Sequence, residues 1–262
     1  MKKIGGIIIV TCCLFSSACH APSKIGKPGR PQEWISLFNG KDISNWIPKI
    51  AGYPLGENFG NTFRVENGLL STRYNEYDSF RQRFGSLFYE KPFRNFRLKV
   101  EYRFVGATAP GAPSWGFRDG GIQYFCQSPS SMKKDQLFPV CLEYNLLGSD
   151  EKNERATGEI CCSGMYVYIN GERNGSYCNP PFVRKTFDGD QWVTAEIEVK
   201  NGVIKHFVNG EEIIVFSNPK YDTANQNTKN LGIKDETIKE GFISLQSNSH
   251  PMDFRKVEIL EL

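Results

Sequence analysis

Two Asn-Gly dipeptides set between alternating apolar and polar residues constrain the fold of this chain more than any other feature. The segment 192–200 has the period of a half-buried strand, and the dipeptides Asn201-Gly202 and Asn209-Gly210 lead from it into the apolar-rich segments 203–208 and 213–216. An Asn-Gly pair readily adopts the positive φ angles of a tight hairpin turn, whose twist matches that of antiparallel strands. The sequence therefore predicts two successive antiparallel hairpins.

The rest of the chain beyond residue 32 repeats this organisation. Residues 96–104 alternate in the same way, and the segments 241–246 and 254–262 read as two further strands. The chain has 19 Phe, 11 Tyr and 4 Trp, which favour strands, and 25 Gly, which favour turns. No long amphipathic helix, internal repeat or central linker is present. We therefore expect residues 33–262 to form one all-β domain, an antiparallel β-sandwich or jelly roll.

The first nineteen residues have the pattern of an export signal. A short basic start precedes the apolar run 4–15, and small residues then lead to Cys19. This run is too short to span a bilayer as a helix and is typical of a secretory signal. It resembles a bacterial lipoprotein signal, with residues 1–18 removed and Cys19 lipidated. The alternative is a plain signal peptide cleaved after Ala18 or Ala21.

The segment after the signal predicts where the protein is held. Residues 20–32 are rich in Pro, Gly and Lys and contain no acidic residue, which indicates a flexible tether. We therefore expect 19–32 to be a lipidated cysteine followed by a tether. The protein is then exported and held in the bacterial cell envelope, on the periplasmic side or the cell surface, with the lipid as its membrane contact.

The distribution of charge argues against a nucleic-acid partner. The whole chain has a formal charge of +3, but residues 33–262 contain 27 basic and 29 acidic side chains. The positive excess belongs to the export segment, so the domain has no strongly positive field for a polyanion. A neutral ligand fits this domain better.

Five cysteines remain after removal of the signal and the anchor, namely Cys126, Cys141, Cys161, Cys162 and Cys178. Outside the cytoplasm they can form up to two disulfides and leave one thiol. Either Cys161 or Cys162 can pair with Cys178, and a bridge between Cys126 and Cys141 is an equal possibility. Paired Cys-x₂-Cys motifs are missing, which disfavours a zinc site. We expect no metal and no other cofactor.

Several short segments, taken in order, resemble a known family. They are Leu37-Phe38-Asn39-Gly40-Lys41-Asp42 with Trp46, Phe63-Arg64-Val65-Glu66-Asn67-Gly68, Glu143-Tyr144-Asn145-Leu146-Leu147, His206-Phe207-Val208-Asn209-Gly210, Gly241-Phe242-Ile243-Ser244-Leu245-Gln246 and Phe254-Arg255-Lys256-Val257. The set resembles the 3-keto-disaccharide hydrolase domain family of exported, glycosyl-hydrolase-like proteins. The resemblance implies a concanavalin A-like jelly roll that cleaves 3-keto-glycosides. Two positions depart from the family pattern, because Gly148 replaces an acidic residue and Asp119-Gly120 replaces Asn-Ser.

The implied chemistry requires particular side chains. The proton at C2 of a 3-keto sugar is acidic, so a base can remove it while the substituent at C1 is expelled, and water can then add. This reaction needs a base, an acid for the leaving group and donors for the enolate oxygen. An ordinary glycosidase needs two carboxyl groups around the scissile bond.

Glu143 is the first candidate for acid–base catalysis. In an alternating strand it shares one face with Asn145, while the neighbouring leucines face the core. The alternative is a solvated or salt-bridged strand carboxylate. Asp119 is a candidate second carboxyl group, or an ordinary turn aspartate.

The remaining candidates are a histidine and a set of groups that bind sugars. His206 lies in a family-like hairpin but shares its face with Ile204 and Val208, so a packed structural histidine is the alternative to a catalytic one. Amides, an arginine and an aromatic ring can bind sugar hydroxyls and ring faces. The candidates of this kind are Gln123, Asn145, Gln246, Arg255 and Trp115.

Three functions stay open on the sequence alone. The first is acid–base cleavage of a 3-keto-glycoside, by elimination and hydration or by hydrolysis. The second is a carbohydrate-binding module without catalysis, because jelly rolls serve both roles. The third is an ordinary glycoside hydrolase that uses Glu143 and Asp119.

Overall fold

A computed structural model of the chain describes Met1 and residues 33–262 except 151, 153 and 175. Apart from Met1, the predicted signal peptide 1–18, the predicted lipidation site Cys19 and the predicted tether lie outside the described residues. Within the described residues, no helix has the length and apolar character needed to cross a membrane.

The described residues form seventeen strands, one α-helix and three short 3₁₀ helices. The strands are β1 (Ile35–Ser36), β2 (Trp46–Ile50), β3 (Phe63–Glu66), β4 (Leu69–Thr72), β5 (Gly85–Phe93), β6 (Phe96–Phe104), β7 (Asp119–Cys126), β8 (Cys141–Leu147), β9 (Glu159–Ser163), β10 (Met165–Ile169), β11 (Glu172–Arg173), β12 (Cys178–Asn179), β13 (Val193–Lys200), β14 (Val203–Val208), β15 (Glu211–Tyr221), β16 (Gly241–Ser247) and β17 (Met252–Glu261). The helix α1 spans Gln226–Asn230, and the 3₁₀ helices span Phe59–Asn61, Ser114–Gly116 and Pro129–Ser131.

The strands form two antiparallel sheets. Sheet I has the order β11-β10-β15-β14-β13-β6-β17-β4-β3, with β1 paired to β17. Sheet II has the order β12-β9-β8-β7-β16-β5-β2. Strands that are neighbours in space are often distant in the chain, as in a jelly roll. The predicted all-β sandwich is confirmed.

Both predicted hairpins are present in sheet I. Lys200 pairs with Val203 across the first Asn-Gly turn, and Val208 pairs with Glu211 across the second. All four turn residues have positive φ, between 48° and 84°. These angles explain why Asn and Gly occupy the turns, since bulkier side chains are strained there.

The core lies between the two sheets and follows the alternation of each strand. In β8 the side chains of Leu142, Tyr144 and Leu146 are fully buried in this core. Each buried leucine contributes about 2 kcal/mol of transfer free energy. Because side chains alternate across a strand, Glu143 and Asn145 must lie on the outer face of sheet II, as predicted.

Loops and aromatic side chains cover part of this outer face. Tyr74, Tyr77, Phe80 and Phe84 form a second apolar cluster, against which Phe138 packs. Phe84 of the cluster also stacks on Trp115. Through Phe138 and Trp115 the cluster borders a depression on the outer face of sheet II.

One of the cysteine pairings left open by the sequence is formed. A disulfide joins Cys161 of β9 to Cys178 of β12. The possible bridge between Cys126 and Cys141 is wrong, because both are free thiols buried with Phe88. There they pack as small apolar groups.

Candidate functional site

A cavity of about 210 Å³ opens on the outer face of sheet II, above the centre of β7, β8 and β16. We call it the site cavity. Its walls combine carboxyl groups, amides, aromatic rings and the disulfide. The lining residues are Trp115, Asp119, Phe138, Glu143, Asn145, Cys161, Tyr177, Cys178, Gln246 and Asn248.

Glu143 lies at the floor of the site cavity and is only 8% exposed. Its Oε2 atom accepts hydrogen bonds from Nε2 of Gln123 at 3.1 Å and Nε2 of Gln246 at 3.0 Å. Burial raises the pKa of Glu143 to about 8, the nearby Asp119 carboxylate adds to the increase, and the two amide bonds offset part of it. Its carboxyl group can therefore change protonation state near neutral pH.

Gln123 supports Glu143 from behind and is itself fully buried. Its Oε1 atom accepts hydrogen bonds from Ser86 at 2.8 Å and Ser244 at 2.7 Å. These two bonds orient the amide so that its NH₂ group faces the Glu143 carboxyl. Gln123 was predicted to bind sugar hydroxyls, but it lies behind Glu143 and does not line the site cavity, so it is a positioning residue.

Gly121 provides the space into which Glu143 leans. The two residues are on adjacent strands, and a β-carbon at position 121 would lie 2.7 Å from Cδ and Oε1 of Glu143. The carboxyl group therefore lies over the bare backbone of β7, on the side of Asp119. Only glycine leaves this space open.

We expect Gly121→Ala to displace the Glu143 carboxyl from its two amide donors. Because the new methyl group would overlap the Glu143 carboxyl group, that side chain must move away from Gln123 and Gln246, and any activity that depends on Glu143 should fall at least about tenfold. Overpacking also costs about 1–3 kcal/mol of stability. Steady-state kinetics, with thermal unfolding as a fold check, measure both effects.

Gly120→Ala is the matched control for that variant. Gly120 is on the same strand but faces inward, where an added β-carbon would meet Sδ of Met252 at 2.5 Å. This variant should lose stability and keep its activity per folded molecule. Equal loss of activity in both variants would contradict a specific role for the space over Gly121.

Asp119 is the second carboxyl group of the site cavity and is 5% exposed. Its Oδ2 atom pairs with Nη2 of Arg155 at 2.6 Å, and its Oδ1 accepts a hydrogen bond from Asn248 at 2.6 Å. Burial raises its pKa to about 6, although Arg155 and Asn248 oppose the increase. Near neutral pH Asp119 is therefore mostly ionised while Glu143 is mostly protonated.

Three side-chain amide oxygens at the site cavity are buried and lack a hydrogen-bond partner within the described part of the chain. They belong to Asn145, Gln246 and Asn248. Buried polar atoms are almost always paired in folded proteins. A set of three unpaired acceptors around one cavity therefore matches a ligand that carries several hydroxyl donors.

Aromatic rings form the upper walls of the site cavity. Trp115 is 48% exposed and stacks on Phe84, with ring centroids 5.6 Å apart and planes 6° apart. Tyr177 is 58% exposed and directly precedes Cys178, so the disulfide to Cys161 fixes it beside Glu143. Exposed rings above polar groups suit the apolar faces of a sugar ring.

The sequence candidates separate into two groups in space. Asp119, Glu143, Asn145, Gln246 and Trp115 line the site cavity together. Sequence reasoning missed a further set, namely Arg155, Asn248, Phe138 and Tyr177. Asn248 alone had a local signal, since it continues the alternation of Ser244 and Gln246.

Two predicted site residues lie elsewhere. Arg255 is on sheet I, where its Nε donates to Glu101 at 2.5 Å and its guanidinium stacks on Trp192. His206 is buried between the sheets, with Nε2 bonded to the Tyr124 hydroxyl at 2.9 Å and Nδ1 to the Gly158 carbonyl at 3.1 Å. These placements replace the predicted catalytic and sugar-binding roles with structural ones.

Burial explains the state of His206 as well. Desolvation lowers its pKa to about 3, so the ring is neutral at all physiological pH values. One ring nitrogen donates and the other accepts, which satisfies both hydrogen bonds without a charge in the core.

One group of side chains in the described part of the chain has the spacing of metal ligands. Ligand atoms of Glu159, Cys161 and Cys178 lie within 4.8 Å of one another. The two sulfur atoms are bonded to each other, and a metal ligand must be a thiolate. The oxidised protein therefore has no thiolate pair at this position.

Two solved structures share this architecture. Both are candidate glycosyl hydrolases from Parabacteroides distasonis, each 18% identical to this chain. The alignment with the first covers 87% of this chain and 94% of the solved chain, with a TM-score of 0.52. The alignment with the second covers 88% of this chain and 100% of the solved chain, with a TM-score of 0.50. At this identity they support the fold.

Comparison with sequences gives a more specific result. No curated protein sequence matches this chain. The profile of the 3-keto-alpha-glucoside-1,2-lyase-like domain matches residues 33–260, which include all the described strands except the last residue of β17, and both carboxyl groups of the site cavity. The chain therefore belongs to the 3-keto-alpha-glucoside-1,2-lyase-like domain family.

Proposed function

We propose that this protein cleaves 3-keto-glycosides by acid–base catalysis in the site cavity. The observation that carries the proposal is the pair of buried carboxyl groups, Asp119 and Glu143, whose pKa values are raised to about 6 and about 8. Carboxyl groups whose environments separate their pKa values are typical of acid–base pairs. Family membership supplies the substrate class.

The two carboxyl groups have complementary states at neutral pH. The ionised Asp119 accepts the proton from C2 of the 3-keto sugar, and the electron pair of that bond forms a C2–C3 enolate, which can take up a solvent proton and return to the ketone. The electron pair of the enolate then forms the C1–C2 double bond. The C1–O bond breaks, and the protonated Glu143 donates its proton to the leaving oxygen. After the two transfers Asp119 is protonated and Glu143 is ionised. Water can then be added as Glu143 takes a proton from the water and Asp119 returns its proton to C2.

The amides of the cavity orient the sugar for this step. The unpaired oxygens of Asn145, Gln246 and Asn248 accept hydrogen bonds from sugar hydroxyls. A volume of about 210 Å³ matches one sugar ring rather than an extended chain. Fixing one ring over two proton-transfer groups lowers the entropic part of the barrier.

Deuterium exchange tests the proposal directly. In D₂O, the protein should release the leaving group from a 3-keto-disaccharide and should exchange the proton at C2. The corresponding unoxidised disaccharide, whose C2 proton is not acidic, should remain unchanged. Cleavage of the unoxidised sugar would instead identify an ordinary glycoside hydrolase that uses the same two carboxyl groups.

A carbohydrate-binding module is the second candidate function. The exposed rings of Trp115 and Tyr177 above unpaired amides are also typical of a site that only binds sugars. Binding of the 3-keto-disaccharide without cleavage or C2 exchange would select this function.

We propose further that the protein is exported and anchored through lipidated Cys19. The sequence of the first nineteen residues supports export, and a disulfide is favoured in oxidising compartments. Cys19→Ser should move the protein from the membrane fraction to the soluble fraction of the envelope. Equal fractionation of both forms would contradict lipidation at Cys19.

A further inference from the structure

A second cavity, of about 590 Å³, adjoins the site cavity beyond Phe138 and Tyr177, which line both. We call it the flanking cavity. Its other walls come from the loop before β8, the end of β9 and the start of α1. They are Asp135, Gln136, Leu137, Cys162, Ser163, Gly164, Asn225 and Asn227.

The register of sheet II fixes how close the two cavities are. Cys161 pairs with Glu143, and Ser163, two residues further along β9, pairs with Cys141. Two residues of a strand span about 7 Å, and their side chains lie on the same face. A group bonded to a sugar over Glu143 therefore reaches the flanking cavity directly.

The walls of the flanking cavity are polar, uncharged for the most part and available to a ligand. The side chains of Ser163, Asn227 and Tyr177 have no hydrogen-bond partner among the residues that the structure describes. Leu137 is 37% exposed and adds an apolar surface next to the Tyr177 ring. Hydroxyl, amide and aromatic groups together suit an uncharged ring that carries hydroxyls.

The opposite flank of the site cavity has a different character. Beyond Trp115 lies a cavity of about 660 Å³ whose lining includes the charged residues Asp150, Glu154 and Arg155. Arg155 already pairs with Asp119. A neutral sugar placed there would have to compete with ionic partners for hydrogen bonds. The flanking cavity is the better match for a neutral group.

We infer that the flanking cavity binds the leaving half of the substrate, an uncharged pyranose of a 3-keto-disaccharide. This inference rests on the proposed function, because it assumes that the oxidised ring occupies the site cavity. The Tyr177 ring then stands between the two sugar rings, and Ser163 and Asn227 bind hydroxyls of the second one. The chain would thus prefer disaccharides to glycosides with a small leaving group.

The test compares two ligands that differ only in the second ring, a 3-keto-disaccharide and the corresponding methyl 3-keto-glycoside. Dissociation constants are measured by calorimetry in the Glu143→Gln background, so that bound ligand is not consumed. The disaccharide should bind more tightly. Adding Asn227→Ala should reduce the ratio of the two constants about threefold to tenfold, the usual effect of one hydrogen bond. Asn227→Trp, which fills the cavity, should abolish the preference.

Gln226→Trp is the matched control, because Gln226 is also on α1 but does not line the flanking cavity. It should keep the wild-type ratio. Equal binding of the two ligands, or a ratio that Asn227→Ala and Asn227→Trp leave unchanged, overturns the inference. Failure of the proposed function would look different, since the protein with Glu143 intact would cleave neither ligand whatever the binding ratio.

Discussion

Replacing Glu143 by glutamine is expected to slow cleavage of a 3-keto-disaccharide by at least about 100-fold, because an amide cannot donate a proton to the leaving oxygen. Glutamine has the shape of the native side chain, and its Oε1 can still accept from the buried amides of Gln123 and Gln246. The variant should therefore fold. Leaving-group release, followed by chromatography, measures the loss.

Deuterium exchange at C2 distinguishes the two carboxyl groups. If Asp119 is the base, the Glu143→Gln variant should still exchange the C2 proton with D₂O while cleavage is lost. Glu198→Gln makes the same chemical change on sheet I and should leave both rates unchanged. Cleavage by Glu143→Gln at the wild-type rate would contradict any acid–base role for Glu143.

The second large effect concerns stability and pH. Burial raises the pKa of Glu143 from about 4.5 to about 8, so between these values the folded protein holds a proton that the unfolded chain has released. Stability therefore falls as the pH rises through this window, by about 1.4 kcal/mol per pH unit. Glu143→Gln does not titrate. The free energy of unfolding of the wild type, relative to the variant, should fall by about 3–5 kcal/mol from pH 4.5 to pH 8.

Urea unfolding of both proteins at several pH values measures this difference. His206 and His250, whose pKa values burial lowers to about 3 and about 4, have the opposite effect and destabilise the fold as the pH falls below 6.5. Both histidines are present in the wild type and the variant, so their effect cancels in the comparison. Parallel stability curves would show that Glu143 keeps an ordinary pKa.

Alternation along single strands made much of the fold and part of the site predictable. It placed Glu143 and Asn145 on the face opposite the buried leucines, and the structure confirms this. The same rule puts His206 with Ile204 and Val208 in the core, where the structure finds it. The Asn-Gly turns are equally local, because φ preferences depend on the residue itself.

The rest of the site depends on contacts that no local pattern contains. Arg155 and Tyr177 lie outside the strands. Only the folded sheets bring Arg155 next to Asp119 and Tyr177 to the cavity that Glu143 lines. The space over Gly121 is a property of two paired strands, so it is not visible in either strand alone. Disulfide pairing was also open, because Cys161 and Cys162 are neighbours and only the fold separates their faces.

Strands that are distant in the chain are neighbours in sheet II, so the site is complete only when the whole sheet has formed. Asn248 and Asp119 are 129 residues apart in the chain, and Gln246 and Glu143 are 103 apart. Closing such long loops is slow compared with forming the local hairpin of β13 and β14. During refolding, strand signals should therefore return before activity does. A chain truncated before β16 loses Gln246 and Asn248, two of the three side-chain amides whose unpaired oxygens lie at the site cavity.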